Sequence, residues 1–243
     1  MRHDAIIIGG SFAGLSAATY IVRGRRSVAV IDAGLPRNRF TTHSHGFLGQ
    51  DGSDPAAMLA IARAQVASYP TVTFFAGSAI RATSVAEGFS VDLATGEKVE
   101  ASRLVLAFGI FDELPAIPGL RARWGSSVLH CPYCHGYEVS GQRLGVLYVT
   151  PQSIHQAMLI AEWGPTTLYL NDLDGVGEAD AALLVELEAR NVAIEPAAVV
   201  ALHGEGAQLA AIELADGRMS SADALFLGPR NHLNSDLAQQ LGC

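Results

Sequence analysis

Apolar residues along this chain fall in short runs broken by glycine and polar turns, and their spacing alternates between that of strands and that of helices. Residues 5–8 are small or β-branched and apolar, Gly9 to Gly14 turn the chain, and 15–22 carry helical periodicity with small residues at Ala17 and Ala18. The next apolar run, 27–31, has the length of a buried parallel strand and ends in Asp32, so the N-terminus predicts a β-α-β unit. The stretch 34–54, rich in Gly, Pro, Asn and His, predicts a long functional loop. A helix follows over 55–69, with Asp54 suited to its N-cap and Pro55 to its first turn. Strands are predicted at 72–75, 77–82, 89–93 and 104–107, with a turn at 94–97.

Pro115 and Pro118 mark a domain junction, which divides the chain into a first domain over 1–114 and a second over 115–243. The second repeats the pattern: an apolar strand from 144 to 149, a helix over 153–162, a strand at 167–170, a helix across 179–190, and strands near 192–194, 209–214 and 224–227. The predicted fold class is α/β, with two doubly wound, Rossmann-like domains. At 243 residues, 49% hydrophobic and 16% charged, the chain has material for an ample core. A formal charge of −8, with Lys98 as the only lysine, argues against nucleic acid or anionic lipid as partners. No apolar run approaches the ~20 residues of a membrane span, and the start Met1-Arg2-His3-Asp4 is not a secretory leader, so a cytoplasmic location is expected.

Two motifs carry chemistry. Gly9-Gly10-Ser11-Phe12-Ala13-Gly14 stands between a strand and a helix, where glycines let backbone approach a pyrophosphate, and Asp32 is placed to accept hydrogen bonds from a ribose diol. Ser11 occupies the position that the usual fingerprint gives to its second glycine. The second motif is Cys131-Pro132-Tyr133-Cys134-His135. Thiols at this spacing close and reopen a small disulfide ring, and in a reducing compartment such a pair reads as catalytic. Zinc would need two further ligands, c-type haem attachment would need export, and two inert thiols are the bland alternative. His135 is the candidate proton donor and acceptor beside Cys134, against an ordinary surface imidazole. Arg37, Asn38, His43 and His45 form a polar loop cluster suited to hydrogen bonds with a cofactor; no metal is expected, since no carboxylate or cysteine stands at ligand spacing. Gly109, after an apolar strand, allows close cofactor approach or simply ends the strand.

The Gly-rich run, the loop stretches Pro36-Arg37-Asn38-Arg39 and His45-Gly46-Phe47-Leu48-Gly49-Gln50-Asp51, and Cys131-Pro132-Tyr133-Cys134-His135-Gly136-Tyr137-Glu138 together resemble the low-molecular-weight thioredoxin reductase family over the length of the chain. The Cys-x-x-Cys-His-Gly-Tyr-Glu form is similar to the branch containing gliotoxin-type dithiol oxidases. The resemblance implies an FAD-binding first domain and a middle NAD(P)-binding-like domain carrying the redox pair. It implies FAD as cofactor, a homodimer, and a small dithiol or a thioredoxin-like protein as partner. It also implies that Cys134 faces the flavin as the charge-transfer thiolate, that Cys131 exchanges with substrate, and that His135 replaces the usual acid-base Asp. The chain departs from the family at three points. Gly145-Val146-Leu147-Tyr148-Val149-Thr150-Pro151-Gln152 and Leu168-Tyr169-Leu170-Asn171-Asp172 hold neither phosphate-cradling glycines nor a 2′-phosphate clamp, so the dithiol or another donor, rather than NADPH, is the expected electron source. Phe108 stands where Thr is common, and the chain ends at Leu241-Gly242-Cys243 without the Gly-Asp segment, so it reads as lacking the C-terminal part of the FAD domain.

Overall fold

The structure, a computed structural model, describes residues 2–171 and 178–243. It divides into two compact units: unit 1 comprises Met1–Thr42, Ser53–Phe111 and His232–Cys243, and unit 2 comprises His43–Gly52 and Asp112–Asn231. The chain crosses into unit 2 after Thr42, returns at Ser53 and crosses again after Phe111. The last twelve positions, expected in the second domain, group with unit 1 instead, and the middle of the long loop belongs to unit 2.

Unit 1 begins with β1 (Arg2–Ile8), α1 (Phe12–Arg23), β2 (Val28–Asp32), α2 (Pro55–Ala67) and β3 (Val72–Ala76). It continues through β4 (Ala79–Val85), β5 (Gly88–Leu93) and β6 (Lys98–Leu106). These strands form one six-stranded sheet ordered β3-β2-β1-β6-β5-β4. The first four strands are parallel, and β6, β5 and β4 pair antiparallel. Strand β1 is apolar at every position from Ala5 to Ile8 because both its faces are covered. Ile7 packs with Leu15, Ala18 and Val66 on the helical side, while Ile6 and Ile8 pack with Val91, Leu93 and Leu237 on the other. Helix α1 starts three residues earlier than its periodicity predicted, since Phe12 already follows the turn. Asp54 caps α2 as expected, its carboxylate accepting from the Ala56 N–H at 2.8 Å.

The chain leaves unit 1 along β7 (Ile110–Glu113). Unit 2 then contains β8 (Val128–Leu129), the one-turn helix α3 (Pro132–His135), β9 (Leu144–Leu147), α4 (Gln152–Ile160), β10 (Thr166–Tyr169), α5 (Glu178–Ala189) and β11 (Ala193–Glu195). After these come β12 (Val199–His203), β13 (Ala211–Leu214), β14 (Met219–Ser221) and β15 (Ala224–Leu227). A five-stranded parallel sheet runs β11-β10-β9-β15-β8, and β12-β13-β14 form a separate three-stranded antiparallel sheet. The parallel sheet is covered by α4 and α5 residues such as Ile154, Ile160 and Leu187 on one face and by Val199, Leu202 and Ile212 of the antiparallel sheet on the other. The α/β, Rossmann-like reading holds for both units; in unit 2 strands, not helices, cover the second face. The chain returns along β16 (Arg230–Leu233), which pairs with β7, and ends in α6 (Leu237–Gln240). The short strands β7, β12 and β14, partly exposed, and β16, exposed throughout, had no clear apolar alternation, so sequence pattern did not reveal them.

Candidate active site

In unit 1, β1 delivers the chain into a turn at Gly9, whose φ of +109° and whose missing Cβ, which would lie 2.2 Å from the Ala107 carbonyl oxygen, both require glycine. Ser11 sits at φ −93°, ψ −166°, extended backbone open to any residue, so the departure from the glycine fingerprint carries no strain here. Its hydroxyl does not cap α1, which leaves the first-turn N–H groups directed at whatever occupies the space beyond. That space is a cavity of about 430 Å³, lined among others by Gly9, Gly10, Ser11, Phe12, Ala13 and Asp32.

Arg37 and Gly109 also line it, whereas Gly14, Asn38 and His45 do not. Gly14 is needed for packing instead: a Cβ there would meet the Gly9 carbonyl oxygen at 1.8 Å and force α1 away from β1. Asn38 holds a local turn through its carbonyl, which accepts from the backbone N–H and the hydroxyl of Thr41. His45 lies in unit 2. The Asp32 carboxylate accepts from the Gly34 N–H at 3.0 Å and pairs with Arg63 at 2.9 Å, retaining lone pairs for further donors. Sequence reasoning missed Arg63, which comes from α2 and lies over the Phe74 ring at 4.2 Å. It also missed Asn234 and Ser235, which return from the C-terminal segment to line the cavity; Asn234 Nδ2 donates to the Phe108 carbonyl at 2.9 Å.

A second cavity, of about 440 Å³, opens elsewhere in unit 1 at the C-terminal end of α1, beside Asp4, Tyr20, Gly24, Arg26 and Arg103, away from any helix N-terminus. The turn of the first cavity, its uncapped helix end and its strand-end carboxylate are the features a dinucleotide requires, so the residues present fit FAD.

In unit 2, Cys131 precedes α3 and Cys134 lies within it, the two joined as a disulfide with a Cα–Cα distance of 5.3 Å. The turn is held from below by Trp163, which the sequence did not single out. A Cβ on Gly136 would stand 2.8 Å from the indole, and the Tyr133 ring meets it edge-on at 5.7 Å. His130 fixes the entry to the turn, its Nδ1 lying 3.1 Å from the Leu227 carbonyl, and Gln156 of α4 donates to the His130 carbonyl at 2.8 Å. His135 is half-buried; burial lowers its pKa from the ordinary imidazole value, nearby Glu138 opposes that shift and His45 adds to it.

The loop segment 43–52 folds as a strap. The Gly46 N–H donates to Asp51 at 2.8 Å, the Gly52 N–H to the Ser44 carbonyl at 2.9 Å, and His45 Nδ1 lies 3.4 Å from Glu138 Oε1 and 3.5 Å from Asp51 Oδ1. Among the described residues no group of three or more His, Cys, Asp or Glu could hold a metal ion.

At the β9–α4 turn, where a second dinucleotide would rest its phosphates, the Val149 and Thr150 N–H groups both donate to the Ser153 hydroxyl, at 3.0 and 3.3 Å. Those donors are spent internally. Asp172, part of the stretch read as lacking a 2′-phosphate clamp, lies outside the described residues.

Comparison with known proteins extends the picture. Thioredoxin reductase tcpT of Claviceps purpurea is 39% identical over 162 residues, covering 65% of this chain and 50% of that protein. An oxidoreductase structure from Agrobacterium tumefaciens superimposes with a TM-score of 0.92 at 44% identity, covering all of this chain and 80% of that one. The crystal structure of HlmI gives a TM-score of 0.93 at 38% identity, covering all of this chain and 76% of that one. The matched region spans half or less of the fungal relatives tcpT of Claviceps purpurea and aclD of Aspergillus oryzae. The family model for pyridine nucleotide-disulphide oxidoreductases matches residues 3–243, and the chain belongs to that family.

Proposed function

We propose that the chain is a FAD-dependent dithiol–disulfide oxidoreductase of thioredoxin reductase type, acting as a dithiol oxidase. The observation that carries this reading is the closed Cys131–Cys134 disulfide on a rigidly packed turn, with a half-buried imidazole on the next residue. In unit 1, Gly9, Gly10, the α1 N-terminus, Arg37 and Asp32 would hold the pyrophosphate and ribose of FAD, and the bound flavin supplies a two-electron acceptor for the reduced pair. A substrate thiol, deprotonated by His135, attacks Cys131; Cys134 leaves as thiolate, and the second substrate thiol then displaces Cys131 to complete the substrate disulfide. The Trp163 and Gln156 contacts hold the turn in place through both exchanges.

The partner in this reading is a small dithiol or a thioredoxin-like protein, and the working state is a cytoplasmic homodimer. The formal charge of −8 disfavours nucleic acid, and among the described residues no helix is long and apolar enough to cross a membrane. A second reading, an NADPH-dependent thioredoxin-disulfide reductase, is favoured by the name of the Claviceps relative. The internally satisfied Val149 and Thr150 donors oppose it. A third reading is a catalytically silent dinucleotide-binding module.

Visible absorbance of the purified protein, followed by anaerobic addition of a dithiol or of NADPH, separates the three. The expected protein is yellow, bleached by the dithiol, unchanged by NADPH and recoloured by air. Bleaching by NADPH would establish the reductase, and a flavin that neither donor bleaches, or a protein that retains none, would leave the silent module. Light scattering on the eluting species tests the dimer.

A further inference from the structure

The strap 43–52 is far from the redox turn in sequence, and its chain neighbours on both sides belong to unit 1, yet the strap itself packs within unit 2. Positive φ angles at Gly46, Gly49 and Gly52 (+75°, +80° and +73°) let it close tightly. Its carboxylate, Asp51, is 72% exposed, whereas the side chain of His45 is only 21% exposed and is turned onto Glu138, three residues beyond His135. A strap that merely covered the surface would have no need to present an imidazole to a carboxylate at the edge of the redox turn.

We propose that His45 and Glu138 complete the proton-handling group of the Cys131–Cys134 turn, acting as positioning residues that set the charge state of His135. The inference rests on the proposed function and deepens it. In the exchange step a substrate S–H proton passes to neutral His135 while the substrate sulfur bonds to Cys131. The Cys131–Cys134 bond breaks, and Cys134 keeps its electron pair as a thiolate; the substrate sulfur is oxidised and the enzyme pair reduced. His135 must therefore be neutral before attack and cationic after it. Burial favours the neutral base, Glu138 favours the cation and a charge on His45 favours the neutral base again, so the two residues act on His135 in opposite directions. The other titratable groups around this cluster are Asp51, 3.5 Å from His45, and His43, whose ring stacks on that of His45 at 6.3 Å.

The test is a titration of the histidine ring resonances by NMR on the oxidised full chain, comparing wild type, His45→Asn and Glu138→Gln. The rate at which dithiothreitol opens the disulfide, read by quenched alkylation across pH, is measured in parallel. His45→Asn is expected to raise the His135 midpoint and Glu138→Gln to lower it, each by about 0.5 pH unit, with the rate-controlling ionisation following in the same two directions. A purely structural strap moves both variants alike or neither, and that result would overturn the proposal. Should His45→Asn fail to fold, the near-isosteric Glu138→Gln decides alone, an unmoved midpoint being fatal. A wild-type pair that dithiols do not open sinks the proposed function instead, and the ring titrations still report on the coupling.

Discussion

His3 and His135 are both partly withdrawn from water, with different consequences. His3 is 8% exposed in β1, edge-on to Phe75 at 6.4 Å, and its Nδ1 has no hydrogen-bond partner. Burial lowers its pKa below 6.5, with the N-terminal charge adding to the shift. The unfolded chain therefore binds more protons than the folded one just below that value. Stability is fully present above about pH 6.5 and is lost as pH falls toward the folded pKa. In urea titrations at pH 7.5 and 5, His3→Leu should lose less stability on acidification than wild type; equal losses would clear His3 of the role. His135 has a lowered pKa as well, but in the proposed exchange its neutral form is the base. His135→Asn keeps approximate shape and cannot titrate, so turnover with a dithiol should fall by about 10²- to 10⁴-fold with flavin content unchanged. An effect of a few-fold with the same pH profile would remove His135 from the mechanism.

The redox turn is a short element that depends on its neighbours, since one helical turn has no independent stability. Trp163, after α4, fills the space under Gly136 and meets Tyr133. Trp163→Ala should cost about 2–3 kcal/mol by chemical denaturation, the low end for a large aromatic because the ring is only partly buried. It should also speed opening of the disulfide by glutathione, because the turn loses its floor; unchanged opening would mean that the turn is held by the His130 contacts alone. At this scale the sequence was legible where a residue acts through its own chain neighbours. The glycine turn, the Asp54 cap and the cysteine pair are of that kind. It was not legible where partners arrive from distant positions. His45 read as a cofactor contact because nothing in its own loop points to Glu138, and Arg63 and Trp163 gain their roles only through tertiary contacts.

Across the whole molecule, the parallel sheets follow from runs such as Ile6-Ile7-Ile8 that are apolar on both faces, and these were readable at once. The boundaries were harder, because each unit is assembled from separate stretches of chain. The C-terminal segment supplies unit 1 with Leu237, fully buried, and with Gln240, whose Oε1 accepts from the Ala82 N–H at 2.9 Å. Leu237→Ala should cost about 2–4 kcal/mol and lower hydrogen-exchange protection in β4 and β5 while leaving β9 and β10 as they were. Uniform loss across both sheets would show that the two units unfold as one.

The bond from Asn234 to the Phe108 carbonyl spans 126 residues, nearly all of them belonging to unit 2. Closing so long a flexible loop costs about 4 kcal/mol in chain entropy, and far less once the intervening residues have folded and brought their own ends together. Loop-closure entropy thus favours one order of assembly, in which unit 2 folds before Asn234 closes on Phe108. Flavin added to refolding protein should accordingly be captured only after the parallel sheet of unit 2 has formed.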